Sequence, residues 1–426
     1  MQRDIFFNRS YSNWHSSLVN LAAVFCLLPF IAPIPLPFSD VQYPVYVLCA
    51  FIFMIDLFSG YLRLSKVDLY FIFISLLSFI YISPFIDTSY VLHSRVGLLC
   101  GFFIYYVFTR YAYLVKAKAI LFAIYINIVA IIFHVINPSL FTSIAGHIVR
   151  KIKFAHHGRG VSGLAPEPNF IGAMAVVFIL ITFLMYKQNK VTRNQAISVM
   201  TLSFLVALAT SSGTASLMLL TLAALVFIFA KIRVRSKLLL LISCLIFYEL
   251  YTLFYSPESR GLKILVYLIN DPIALLLRDD SIGYRMVAIL LGFESMIQGN
   301  LFGHGVGSLP VVAESIASNT HIESLFPRVF YRVGANLSAF AQYTVEMGLF
   351  FWVLIVWLYC RSIPSSFALI IRFMTLFFLI ATFSIVFPPL WMLLGFTDTR
   401  NNFLYANKAI NENFKKKASE VQYSEN

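Results

Sequence analysis

Charge is what this chain has least of. Only 12% of its 426 residues are Asp, Glu, Lys or Arg, against 60% hydrophobic and 16% aromatic. Its mean hydropathy is +0.82. A soluble fold of this length cannot hide so much apolar surface, so a water-soluble globular enzyme is excluded. The apolar stretches also lack alternation with a period of two. They run unbroken over about 20 residues, which excludes a membrane β-barrel and leaves an all-α polytopic membrane protein. Cysteine is sparse. Cys26, Cys49, Cys100, Cys244 and Cys360 all lie in or at the ends of apolar runs. None forms a CxxC and none neighbours a histidine pair at metal-ligand spacing, so they read as packing residues and no metal site is expected. No small-residue cleavage site follows the first apolar run, which is read as an uncleaved helix. No internal repeat is visible, which counts against the transporter architectures built on one. No basic soluble domain interleaved with aromatics exists, so nucleic acid is not an expected partner.

The apolar runs are long. They fall at about 17–36, 42–61, 67–86, 90–108, 119–138, 169–186, 196–211, 213–230, 236–255, 338–359 and 365–387. A shorter piece, FPPLWMLLGF at 387–396, is a twelfth span or a re-entrant or interfacial helix. Net charge is +13, and its placement sets the topology. Arg63 and Lys66 follow the second span, Arg110, Lys116 and Lys118 the fourth, Lys187, Lys190 and Arg193 the sixth, and Lys231, Arg233, Arg235 and Lys237 the eighth. Asp40 and Asp87 follow the first and third. By the positive-inside rule the N-terminus is inside and even-numbered spans end inside. Lys415, Lys416 and Lys417 favour an inside tail, and 398–426 is expected to be disordered. The whole chain, 1–426, reads as one integral membrane domain. Two long segments remain outside, 139–168 and 256–337.

Both outer segments carry cations: Arg150, Lys151, Lys153 and Arg159 in one, and Arg260, Lys263, Arg278, Arg285, Arg328 and Arg332 in the other. Arginine forks fit phosphate or carboxylate in a bidentate way. Two such loops meeting at the membrane surface suit an anionic, membrane-anchored ligand such as a lipid diphosphate. Arg285 falls in the first turns of a helix capped by Asp280 or Ser281. A cation is unfavourable there unless an anion binds between it and the helix N-terminus. The plain alternative is a surface arginine paired with Asp279 or Asp280. In HHGRGVSGLAPEPNF (156–170) the glycines permit tight turns and Pro166 and Pro168 start the next span. Glu167 is a capping acid, or it orients Arg159 or takes a proton from a sugar hydroxyl. In LFGHGVGS (301–308) the glycines allow an anion-binding backbone nest, and His304 can take or give a proton. The plain alternative is a flexible loop with an exposed histidine. Arg95, with His93, and Glu346 lie inside spans from the outer side, where charge is costly and tends to be functional. Asp56 and Arg372 lie near inner ends and are read as snorkelling, without a role. ATSSGTAS (209–216) reads as a tight outer turn whose small residues permit close helix packing.

These stretches carry a resemblance. GRGVSGLAPEPNFIGA, SSGTASLML, SIGYRMVAILLGFESMIQGNLFGHGVGS and NLSAFAQYTVEMGLF resemble, in order and spacing, the bacterial O-antigen polymerase family (Wzy-type), which shares a superfamily with the O-antigen ligases (WaaL-type). The layout covers about residues 90–396. The resemblance implies a GT-C-like helical fold of 11–12 transmembrane helices, with short helices in two large periplasmic loops. It implies a bacterial inner-membrane glycosyltransferase that joins undecaprenyl-diphosphate-linked oligosaccharide repeat units at the periplasmic face. The expected partners are the lipid-linked glycan donor and acceptor, membrane lipid and a chain-length regulator protein. No metal and no cofactor are expected. The family's recurrent loop arginines map onto Arg159 and Arg285, with Glu167 and His304 as candidate bases. Arg95, His157, Tyr284, Glu346 and Asn336 are the expected substrate-binding residues. Ligase-type members tend to carry a histidine beside the asparagine where this chain has Ala335-Asn336. That puts polymerase ahead of two alternatives: a ligase passing polymer to lipid A-core, and a lipid-linked oligosaccharide flippase.

Overall fold

The computed structural model describes residues 3–36, 41–82, 88–149, 160–210, 212–229, scattered positions between 264 and 277, 280–318, 338–360, 366–381 and 385–398. Regular structure there is all helical, with two isolated β-bridges, Ile31 with Val149 and Ile82 with Val306. The helices are α1 (Arg3–Leu27), α2 (Pro44–Phe58), α3 (Lys66–Ile80), α4 (Thr88–Tyr111), α5 (Ala117–Ile136), α6 (Pro138–Ala145), α7 (Pro168–Lys187), α8 (Arg193–Ala209), α9 (Gly213–Phe229), α10 (Asp280–Ile297), α11 (Leu309–Ser318), α12 (Ala339–Met347), α13 (Leu349–Cys360), α14 (Ser366–Ala381) and α15 (Pro388–Asp398). Among the described residues, three stretches are long and apolar enough to cross a membrane: Arg95–Leu114, Ala117–Ile136 and Pro168–Lys187. Shorter apolar helices pack beside them. The apolar run 236–255 lies outside the described residues.

Local chemistry sets many of the helix ends. Ser65 and Asp68 form a reciprocal capping box that starts α3, and Thr192 and Gln195 form another that starts α8. Pro138 and Pro168 occupy the first turns of α6 and α7, where the missing N–H costs nothing. Prolines also end the first run early. Helix α1 stops at Leu27, ahead of Pro29, Pro33 and Pro35, so 28–36 does not complete the span expected at 17–36.

The run 338–359 is two helices. Gly348 adopts φ +51° and ψ −127°, which separates α12 from α13. The break is sheltered. Leu349 N–H donates to Leu301 O at 2.7 Å, and a Cβ on Gly348 would lie 2.1 Å from that oxygen. Interrupted backbone at membrane depth is tolerated where protein supplies the lost partners, and residue 301 supplies one here.

Helix α15 resolves the short piece at 387–396. Every residue from Pro388 to Thr397 is buried, so an interfacial helix, which exposes one face, is excluded. It runs back through the bundle between α4 and α14. The indole of Trp391 packs on Phe71 and against Gly101, where a side chain would have no room. One end of the bundle is where α3 finishes and α7 starts. It is called the upper end here, and the opposite end the lower.

Candidate functional site

At the upper end, two of the motif-bearing stretches meet. Gly160 N–H donates to Thr210 O at 3.2 Å, and Ser212 Oγ donates to Asn169 Oδ1 at 2.9 Å. A Cβ on Gly160 would fall 2.2 Å from Ala209 O, so only glycine permits this approach. Gly163 N–H donates to His134 Nδ1 at 3.2 Å, which ties the loop to the end of α5. Gly172 packs against Thr210, Ser212 and Ala215, the close contact expected of the small residues in 209–216. Glu167 stands at the N-cap of α7 with extended backbone, and its carboxylate makes no capping hydrogen bond. A plain capping role is therefore not what its geometry shows. Ser162 Oγ is buried without a partner.

The other two stretches form a second group. Helix α10 packs on α12. Tyr284, 5% exposed, sits in an apolar cluster with Val287, Leu291, Leu309, Ala313, Ile316 and Val345. Arg285 follows it, half-buried and already engaged within the chain. The loop 301–308 crosses the α12/α13 break as a clasp. His304 N–H donates to Val345 O at 2.9 Å and Gly305 N–H to Glu346 O at 3.0 Å. Val306 N–H donates to Tyr81 O at 2.9 Å, and Tyr81 Oη donates to Gly303 O at 2.9 Å. Gly303, Gly305 and Gly307 all have φ between +83° and +90°. This alternation aims successive amides inward, as a nest requires. The nest is filled by one of the protein's own side chains. The Glu346 carboxyl group, fully buried, accepts from Gln342 Nε2 at 3.3 and 3.4 Å and lies beside the backbone amides of Gly307 and Leu309. Among the described residues the loop is therefore neither an open anion nest nor a free flexible loop.

His304 is half-buried, its Nε2 lying 3.1 Å from the buried Ser295 Oγ. Burial pushes its pKa below the ordinary 6.5, which favours the neutral ring at pH 7. Arg95 lies nearby. Ser78 Oγ donates to Arg95 O at 3.3 Å, and Tyr81, three residues beyond Ser78, holds the clasp. Two residues along α4, a Cβ on Gly97 would come within 3.3 Å of Tyr343 Oη, one turn above Glu346. Arg95 Nε is buried without a hydrogen-bond acceptor. The structure thus gathers Arg95, Tyr284, Arg285, His304 and Glu346 around α12, with Glu167 in the first group. Arg159, His157 and Asn336 lie outside the described residues, as do Arg150, Lys151 and Lys153. Among the described residues, no group of three His, Cys, Asp or Glu side chains is placed to hold a metal.

The lower end corrects the snorkelling assigned to Asp56 and Arg372. Asp56 is fully buried, and its Oδ2 accepts from Tyr106 Oη and Tyr111 Oη, each at 2.8 Å. His15 Nε2 stands 3.9 Å from Oδ1. Arg372, 2% exposed, pairs with Asp398 Oδ1 at 2.5 Å and donates to Tyr359 O at 3.1 Å. Tyr105 Oη donates to the other oxygen of Asp398. Asp398 therefore belongs to the bundle rather than to the expected tail. Both charges lie too far among aromatic helices to reach water, so their partners come from the protein. Their one sequence signal is position: a charge inside an apolar run needs a partner. Ser295, Gln342 and Tyr81 carried no signal, because they act through contacts remote in sequence.

No model of a known protein family matches this chain, and no curated protein matches it.

Proposed function

We propose that the chain is a surface polysaccharide (O-antigen) polymerase, a metal-independent glycosyltransferase acting at the periplasmic face of the bacterial inner membrane. The upper end is then the periplasmic end. The observation that carries the reading is Arg95 Nε, buried without an acceptor in an apolar helix, close to a clasp that presents a neutral histidine. A buried donor without a partner is costly, and an anionic ligand removes that cost.

The acceptor is one lipid-linked repeat unit, and the donor is the growing chain on undecaprenyl diphosphate. An acceptor hydroxyl oxygen attacks the donor's anomeric carbon. The bond from that carbon to the diphosphate oxygen breaks, and the diphosphate leaves with the electron pair. Arg95 and Arg285, together with Arg159, stabilise the charge that develops on it. His304 takes the hydroxyl proton, with Glu167 as the other candidate base. His157 and Asn336 are the candidate glycan-binding residues, Tyr284 serves the packing of α10, and a chain-length regulator protein docks on the same face.

The test is lipopolysaccharide banding from a strain lacking this gene, complemented with wild type or Arg285→Ala. A core bearing a single repeat unit, restored to a ladder by wild type and not by the variant, is expected. Loss of all decorated core, with long lipid-linked polymer accumulating, would mean a ligase. Unpolymerised units trapped at the cytoplasmic face would mean a flippase.

A further inference from the structure

We infer that Glu346 is a positioning residue. By holding the 303–309 clasp closed across the α12/α13 break, it fixes where His304 presents its imidazole. The inference rests on the reading of His304 given above.

Glu346 is 0% exposed; its carboxyl group accepts from Gln342 Nε2 and faces the backbone amides of Gly307 and Leu309. Leu309 is the first residue of α11. The residue before it, Ser308, is the ordinary kind of N-cap, yet its Oγ is buried without a partner. A carboxyl group from another helix stands beside that end instead. The positive end of α11 faces that carboxyl group. The main chain of the same residue grips the other side of the loop, because Glu346 O accepts from Gly305 N–H. One residue back, Val345 O accepts from His304 N–H. Both carbonyls belong to the last turn of α12, where the break at Gly348 leaves them without helical partners. His304 is therefore bracketed: its own amide and the next are bound to α12, and the amides of 307 and 309 converge on the Glu346 side chain. Little is left to its ring but rotation toward Ser295.

The chemistry explains why an acid stands there. Gln342 Nε2 and the amides of 307 and 309 all turn N–H groups towards the Glu346 oxygens, so a glutamine would set its NH2 against N–H groups. Aspartate keeps both acceptor oxygens but is one methylene short.

Two measurements on the full-length protein in lipid nanodiscs or proteoliposomes test this. The first is hydrogen exchange at the amides of 304–309. Glu346→Gln is expected to speed exchange there by about tenfold or more, with α5 and α7 unaffected. Unchanged exchange would overturn the inference. The second is the rate at which lipid-linked repeat units are joined. Glu346→Gln should slow it about tenfold or more, and Glu346→Asp less. Combined with His304→Ala, Glu346→Gln should add no further loss, because it acts through a group already removed. Losses that multiply, or a His304→Ala variant as fast as wild type, would overturn the positioning role. If Glu346→Gln does not fold, the Glu346→Asp pair of measurements stands in its place. If wild type joins no units while the exchange change is seen, the polymerase reading fails and the clasp stands.

Discussion

The two ends of the bundle differ in how they treat a cation inside the bundle. At the lower end each described buried charge is answered by the protein. Asp56 has two tyrosines and a histidine, and Arg372 has Asp398, a carbonyl and a threonine. Even Lys190, in an expected inside loop, points its ammonium at three carbonyls, those of Ala112, Tyr113 and Val115. At the upper end the account is open. Arg95 Nε has no acceptor, and the half-buried His304 touches one serine. Closed polar networks stabilise a fold and specify it. Open ones keep polar capacity for something that arrives. Stability and function should therefore separate by end.

The largest expected effect on stability is at the lower end. Asp398→Ala leaves Arg372 buried and without its carboxylate, at a cost of about 3–5 kcal/mol. Thermal unfolding of the purified protein would show it. A loss below about 1 kcal/mol would mean that the lower end is not closed in the sense argued here. Gly348→Ala comes next. It places a Cβ 2.1 Å from Leu301 O at a φ of +51°, so strain and displacement together should cost about 1–3 kcal/mol. It should also disturb the clasp, and so lower repeat-unit joining by more than its stability loss predicts. Tyr111→Phe removes one of the two hydroxyls on Asp56, an effect of about 1.5–3 kcal/mol on unfolding with joining activity retained.

How much of this was legible in the sequence depended on how local its cause was. Helices α4, α5 and α7 lie within a few residues of the expected spans, because their limits are set by nearby prolines, polar loops and caps. The break at Gly348 was not legible. A glycine in VEMGLFFW is unremarkable until a loop about 45 residues earlier supplies Leu301 O as a partner. The glycine loop and Glu346 were each singled out as ligand-facing, yet they were made for each other. Nothing local in the sequence pairs residue 307 with residue 346. Likewise Arg372 is one turn and a half from its helix start, which suits snorkelling as well as pairing. The pairing depended on α15 folding back, and α15 was too short to place by length.

A smaller effect concerns pH. The folded pKa of His304 is held below 6.5 by burial, so between those two values the unfolded chain binds the proton and the folded one does not. Stability from this group is present above 6.5 and is lost as pH falls through that window. As a base, His304 should keep joining activity flat across pH 7 and lose it only below 6.5. Comparing wild type with His304→Gln isolates both slopes. A midpoint above 6.5 that vanishes in the variant would contradict the burial of the ring.

The smallest expected effect on stability is the most informative. Arg95→Leu replaces a guanidinium whose Nε is buried without an acceptor by a shorter apolar chain inside an apolar helix. Nothing in the described protein loses a partner, because Ser78 bonds the Arg95 main chain and not its side chain. Unfolding should shift by no more than about 0.5 kcal/mol in either direction. If the proposed function holds, repeat-unit joining should fall steeply all the same, because the site loses a cation aimed at the diphosphate. The conservative Arg95→Lys should recover part of it, keeping the charge but not the planar fork. The same two measurements on Asp398→Ala should come out the other way round per unit of stability lost. If Arg95→Leu instead unfolds the protein while joining survives in what remains folded, the upper end is as closed as the lower. The open arginine would then have been waiting for nothing.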